Sequence, residues 1–129
     1  MRVLIVDDQA RTRQSLHLLL NTVSVITHTE EASNGLEALE QVSAFQPQIV
    51  VMDARMPKMD GIEAARRIKA GWPKIKIVLL SMYPEYREYV RPDYADAFVS
   101  KGEPPEHLLA ILSVCMDHII TGENESADR

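Results

Sequence analysis

At 129 residues, 46% hydrophobic and 26% charged, the chain has enough apolar content for one compact domain and little left for a second. A formal charge of −5 and a pI near 5.3 exclude a basic footprint for nucleic acid or anionic lipid, because an acidic surface attracts neither polyanion. A single cysteine, Cys115, rules out an intrachain disulfide. Met1-Arg2-Val3-Leu4 runs straight into a strand-like segment rather than a signal peptide, and no apolar run reaches membrane-spanning length, so a cytoplasmic location without a membrane partner is expected.

Val3 to Val6 is a continuous run of leucine and β-branched residues, the pattern of a strand buried on both faces, and Asp7-Asp8 ends it. Leu16, Leu19, Leu20 and Val23 then recur at helical spacing, which predicts a helix from about Gln9 to Thr22. Val25 to Ala32 reads as a second strand, and Leu36, Leu39 and Val42 mark a second helix that Pro47 separates from the strand Ile49 to Met52. Ile62, Ala65 and Ile68 give a third helix, closed by Gly71 and Pro73, before the strand Ile75 to Leu80. Between Pro84 and Pro92 there is room for only a short helix. Ala97 to Ser100 is a fifth strand, and Pro104-Pro105 opens a last helix with Leu108, Leu112, Cys115 and Ile119 as its apolar stripe. Residues 1–120 are thus one domain, and Thr121 to Arg129 reads as a disordered polar tail or the start of a linker.

Strands alternating with helices imply right-handed crossovers and a parallel sheet covered on both faces. The expected architecture is a three-layer α/β flavodoxin-like (βα)5 fold with strand order 2-1-3-4-5, whose ligand crevice lies at the carboxyl ends of the strands. That topology brings Asp7, Asp8, Asp53, Ser81 and Lys101 to one rim although they are scattered along the chain. Three carboxylates at one site repel one another unless a cation joins them. With oxygen donors only, that cation is expected to be Mg²⁺ rather than Zn²⁺, with Mn²⁺ as a possible substitute.

Asp7-Asp8, then Asp53 followed by Met56-Pro57 and Met59-Asp60-Gly61, then Ser81, then Phe98 and Lys101, resembles the receiver domain of two-component response regulators over about residues 2 to 120. The resemblance implies that Asp53 is the phosphoacceptor. It implies that Asp8 and Asp53 bind the metal directly with the main-chain carbonyl of Arg55, and that Asp7 helps through water. Ser81 would hydrogen-bond the phosphoryl oxygens and Lys101 would pair with them, with Phe98 completing the switch. The phosphoryl donor would be a sensor histidine kinase or a small acyl phosphate, and a homodimer on phosphorylation is a possible further partner. Phe98 to Leu109 is also similar to receivers of the NarL/FixJ subfamily, whose members usually carry a helix-turn-helix output domain, so DNA is expected to be reached only through a domain outside this chain. The implied function is phosphorelay signalling that controls transcription, with self-catalysed phosphorylation and dephosphorylation of Asp53 rather than enzymatic turnover.

Each residue also has a bland reading. Asp7-Asp8 is a common helix-entry turn, Asp53 a strand-end carboxylate, Ser81 a turn cap and Lys101 a surface lysine; their joint placement is what carries the functional reading. The methionines read as packing, the four histidines show no ligand spacing, and Cys115 is an inert stripe residue. A haloacid-dehalogenase-type phosphatase needs an acid/base aspartate where Arg55 stands, and a flavin site needs a phosphate loop where Asp7-Asp8 would repel phosphate. A receiver-like interaction module that signals without phosphorylation is the remaining alternative. Gly102 replaces the proline that often follows the lysine, and the chain between Ser81 and Phe98 is about two residues short of the usual spacing.

Overall fold

The computed structural model describes residues 1–127, with side chains as far as Gly122. Five parallel strands, β1 (Arg2–Val6), β2 (His28–Ala32), β3 (Ile49–Asp53), β4 (Lys76–Ser81) and β5 (Ala97–Ser100), form one sheet in the order β2-β1-β3-β4-β5. The helices are α1 (Ala10–Leu20), α2 (Gly35–Phe45), α3 (Gly61–Gly71) and α4 (Pro105–Ala127), and a 3₁₀ helix occupies Pro84–Tyr89.

Period-two alternation divides each inner strand between two cores. Leu4, Val6, Val50, Met52, Ile77 and Leu79 point to the face covered by α2, α3 and the 3₁₀ helix, where Ala38, Val42, Ala65 and Ile68 meet them. Val3, Ile5, Val51, Val78, Leu80 and Val99 point to the other face, where α1 supplies Leu16 and Leu20 and α4 supplies Leu108, Leu112 and Cys115. The expected three-layer architecture and strand order are those observed.

Several elements differ from the sequence expectation. β2 starts at His28 rather than Val25, because Val25 is exposed and only Ala32 of this edge strand is buried. Leu36, expected on the stripe of α2, faces solvent, and its burying face is Ala38 and Val42 with Leu39 partly covered. The short helix after β4 is 3₁₀, a form in which residues three apart eclipse, so Tyr86 and Tyr89 fall together with centroids 6.2 Å apart against the core. α4 runs to Ala127 through most of the segment expected to be a disordered tail or linker; Asp128 and Arg129 lie outside the described residues.

Candidate functional site

β1 hands its last ladder bond to Asp7, whose N–H donates to the Ala32 carbonyl at 3.1 Å. The Asp7 side chain turns inward and is fully buried, its Oδ1 accepting the Gln9 N–H at 2.9 Å in the turn that launches α1. Asp8, one residue on and past the end of β1, is exposed to solvent. β3 ends on Asp53, 7% exposed and in register with Leu80, and its Oδ1 accepts the Arg55 N–H at 3.1 Å. Lys101 follows β5, with its N–H on the Ser81 carbonyl at 3.0 Å. Its ammonium bridges the strand ends, 2.9 Å from Asp7 Oδ2 and 3.1 Å from Asp53 Oδ2.

Asp7, Asp8 and Asp53 each offer a carboxylate oxygen within 4.8 Å of the others. Asp8, Asp53, Arg55, Ser81, Tyr83 and Lys101 line a cavity of about 230 Å³, in which the Arg55 guanidinium lies 4.5 Å from the centre of the Tyr83 ring. The charges do not balance, since one ammonium faces three carboxylates. Burial pushes the Asp53 carboxyl up from its ordinary range, the Arg55 N–H and Lys101 pull it back without cancelling the rise, and the Asp7 charge adds to it. Burial opposes the charge on Lys101, but its bonds to Asp7 and Asp53 outweigh that and hold the ammonium above the ordinary lysine range. One cation shared between two acids is favoured by both and fully neutralises neither.

Ser81 is 2% exposed, and its Oγ accepts the Tyr83 N–H at 3.0 Å, which leaves the hydroxyl hydrogen for a group in the cavity. Phe98 is not brought to the rim. It is buried on β5 in the core under α3 and the 3₁₀ helix, with the Arg87 guanidinium 4.8 Å from its ring centre.

The loop from Ala54 to Asp60 that follows Asp53 is fixed from two sides. Gly61 begins α3 with its N–H on the Ala54 carbonyl at 3.1 Å, and a Cβ there would collide with the Asp53 carbonyl and come within 2.9 Å of Ala54 Cα. Gly35 at the start of α2 donates to the Met59 carbonyl at 3.2 Å, and a Cβ there would strike Met59. Lys58, at φ 68°, makes the left-handed turn between them. Asn34 and Asp60 cap these two helices by accepting the N–H of Glu37 and of Glu63, each at 2.9 Å. Gly61 lies in the Met59-Asp60-Gly61 motif, whereas Gly35 stands out in no pattern, because a glycine needed for close approach leaves no chemical signature. Arg13 is also outside the motifs, and its Nη1 donates to the Asp7 carbonyl at 2.7 Å. The available signal was its place three and seven residues before Leu16 and Leu20, on the buried face of α1, where an arginine needs a partner.

Comparison with known proteins agrees with this geometry. The response regulator receiver domain family matches residues 3–113. The chain is 35% identical over 112 residues to the uncharacterized transcriptional regulatory protein YhcZ of Bacillus subtilis, covering 84% of this chain and 52% of that protein. It is 32% identical over 113 residues to the oxygen regulatory protein NreC of Staphylococcus carnosus, covering 85% and 52%. The chain therefore spans about half the length of these curated relatives. Among solved structures, a DNA-binding response regulator of the LuxR family from Staphylococcus aureus superposes with a TM-score of 0.80 at 26% identity, covering 88% of this chain and 97% of that one. A signal receiver domain from Pseudomonas fluorescens shares the fold with a TM-score of 0.85 at 23% identity, covering 95% and 91%. With its parallel sheet, its acidic strand-end rim and these relatives taken together, the chain belongs to the response regulator receiver domain family of two-component systems, on the NarL/FixJ-like branch.

Proposed function

We propose that the domain accepts a phosphoryl group on Asp53, and that the acidic rim holds a divalent cation which makes this possible. The observation that carries the reading is the bridge from Lys101 to both Asp7 and Asp53 within a cluster of three carboxylates that it cannot neutralise alone. The donor set fits a hard cation, because all three groups offer oxygen and none offers nitrogen or sulfur; Mg²⁺ suits it, with Mn²⁺ as a substitute. Asp8, Asp53 and the main-chain carbonyl of Arg55 would hold the ion, and Asp7 would act through water. The ion, when bound, supplies charge neutralisation at the phosphoryl oxygens.

The chain's own residues do the rest. An Asp53 carboxylate oxygen forms a bond to phosphorus as the P–N bond of a kinase phosphohistidine, or the P–O bond of an acyl phosphate, breaks. The electron pair leaves with the imidazole nitrogen or the acyl carboxylate. Lys101 stays beside the transferred group and balances part of its charge, while the Ser81 hydroxyl donates to a phosphoryl oxygen. Water attack on phosphorus later breaks the Asp53 P–O bond and releases inorganic phosphate, so the domain is a self-catalysed switch and no enzyme acting on a separate substrate. Ser81 also ties the site to the surface. Drawing its Oγ inward stretches the bond from the Tyr83 N–H, the residue that caps the 3₁₀ helix above Phe98. In the longer relatives this surface would face an output domain, and we assign this chain the input role of a cytoplasmic transcriptional regulator that reaches DNA through such a domain. A homodimer on phosphorylation is one means by which it could act.

Incubation with acetyl phosphate and Mg²⁺ should add one acid-stable, base-labile phosphoryl group by intact-mass measurement, and Asp53→Asn should remain unlabelled. An unchanged mass for the wild-type protein would leave only the reading as a phosphorylation-independent interaction module.

A further inference from the structure

We infer that Arg13 is a positioning residue for the cation site, and that Glu31 holds it in place. The inference rests on the cation-assisted reading above. Asp7 is fully buried, and each of its polar atoms has a partner: the N–H on Ala32, Oδ1 with Gln9, Oδ2 with Lys101, and the carbonyl with Arg13 Nη1 at 2.7 Å. The last of these bonds acts on the peptide that joins Asp7 to Asp8. A peptide is a rigid plane, so fixing its oxygen fixes the N–H of Asp8 on the opposite side and the position of the Asp8 Cα from which its carboxylate projects. Asp8 is exposed, and this peptide is its connection to the buried side of the rim.

Arg13 is itself held. Its Nε donates to Glu31 Oε1 at 2.8 Å, and its side chain is 18% exposed. Glu31 lies on β2 in register with Ile5 of β1, so the guanidinium is gripped between the α1 surface and the edge strand just below the rim. The pair is also electrically neutral. It therefore adds almost no charge to a site that must attract a cation, while a planar fork with two fixed donors orients a carbonyl better than a lysine does.

Charge and position make opposite predictions here. Removing a positive charge close to a cation site should tighten cation binding by Coulomb attraction alone. Removing a group that aims a ligand should weaken it, by about ten- to a hundredfold for outer-shell partners of metal ligands. The experiment is titration of the full chain with Mg²⁺ by calorimetry, repeated with Mn²⁺ by the loss of its free-ion resonance, at a temperature where each variant is shown folded by circular dichroism. Arg13→Met should bind about tenfold or more weakly than wild type, Arg13→Lys should recover part of the loss, and Glu31→Ala should lose a few-fold. Arg11→Ala, an exposed cation on the same helix, should bind at least as tightly as wild type.

Arg13→Met binding equal to or tighter than wild type, in a protein whose Asp8→Ala variant has lost the ion, overturns the positioning role and leaves the cation reading intact. Wild-type protein that binds no Mg²⁺, or binds it equally after Asp8→Ala, overturns the cation reading and the role of Arg13 with it. If the Arg13 variants do not fold, Glu31→Ala, at a position 40% exposed, is set against Glu30→Ala, which removes a like charge from the same strand: a loss at Glu31 no greater than at Glu30 is charge alone and overturns the inference.

Discussion

Two lysines reach into the protein from opposite ends of the sheet, and they are partnered in opposite ways. At the amino-terminal ends of the strands, Lys69 is 7% exposed, and its ammonium sits 2.7 Å from Asp96 Oδ2 and 2.7 Å from the Ile75 carbonyl. The same Asp96 oxygen accepts the Ile77 N–H at 2.8 Å, and the Asp96 N–H returns to the Ile77 carbonyl at 2.9 Å. One buried cation meets one carboxylate, whose other oxygen lies 3.8 Å from the more exposed Lys76 ammonium, so no negative charge is left over at this end. At the carboxyl ends, Lys101 meets two buried acids with a third beside them, and the group opens onto a cavity. The residue types are the same. What separates a fastener from a binding site is whether carboxylate charge is left unpaired.

The largest expected effect tests the closed end. Asp96→Ala strands the Lys69 ammonium and the Ile77 N–H together, and should cost about 2–4 kcal/mol of unfolding free energy, somewhat below the full cost of orphaning a buried charge because Asp96 is 23% exposed. Urea unfolding measures it, and Mg²⁺ should restore none of the loss. Lys101→Ala should also lose stability, but Mg²⁺ should return much of it, since the cation can take over the abandoned carboxylates. If Mg²⁺ rescues both variants, or neither, the distinction between the two ends fails.

A smaller effect tests how tightly the open end is built. Gly61→Ala places a methyl group against the Asp53 carbonyl and Ala54 Cα, so backbone has to move, at a cost of about 1–3 kcal/mol and with slower labelling of Asp53 by acetyl phosphate. Gly71→Ala, at the far end of the same helix, meets nothing within 4 Å and should stabilise by roughly 0.5–1 kcal/mol without changing the labelling rate. Equal behaviour of the two variants would show that Gly61 serves the helix and not the site.

Much of this was legible in the residues. β1, β3, β4 and β5 read as apolar runs because both faces of each are covered, and once their order is known, the residue after each run has to fall on the same rim. β2 is shorter than its sequence suggests because an edge strand of sequence His-Thr-Glu-Glu-Ala buries a single side chain and leaves no pattern, while Val25 and Ile26 beside it look more like a strand. The expected tail from Thr121 is polar, and polarity alone does not end a helix, so α4 continues to Ala127. Arg13 escaped for a deeper reason. Its partner is a main-chain carbonyl, which every residue carries, so nothing in the identity of Asp7 announces the bond.

The smallest expected effect comes from the charge imbalance itself, through pH. Burial raises the Asp53 carboxyl above its ordinary value of 3.8, so the folded protein holds that proton more tightly than the unfolded chain does. Between the ordinary value and the raised one, the native state therefore binds more protons, and stability falls as pH rises through that window. Below the window Asp53 costs nothing; above it, including at neutral pH, the metal-free protein carries the whole penalty. Asp53→Asn keeps the shape and one acceptor oxygen for the Arg55 N–H but removes the charge and the acceptor facing Lys101, which retains its bond to Asp7. The variant should accordingly be more stable than wild type at neutral pH without Mg²⁺, and should lose that advantage in acid. Adding Mg²⁺ should reverse the order, because the ion binds the native carboxylate and stabilises wild type by mass action while the amide holds it poorly. Thermal melts of both proteins from acid to neutral pH, with and without Mg²⁺, measure all of this. A variant less stable than wild type in the absence of Mg²⁺ would mean that Lys101 already balances Asp53, and that the open end is as closed as the pair at Lys69.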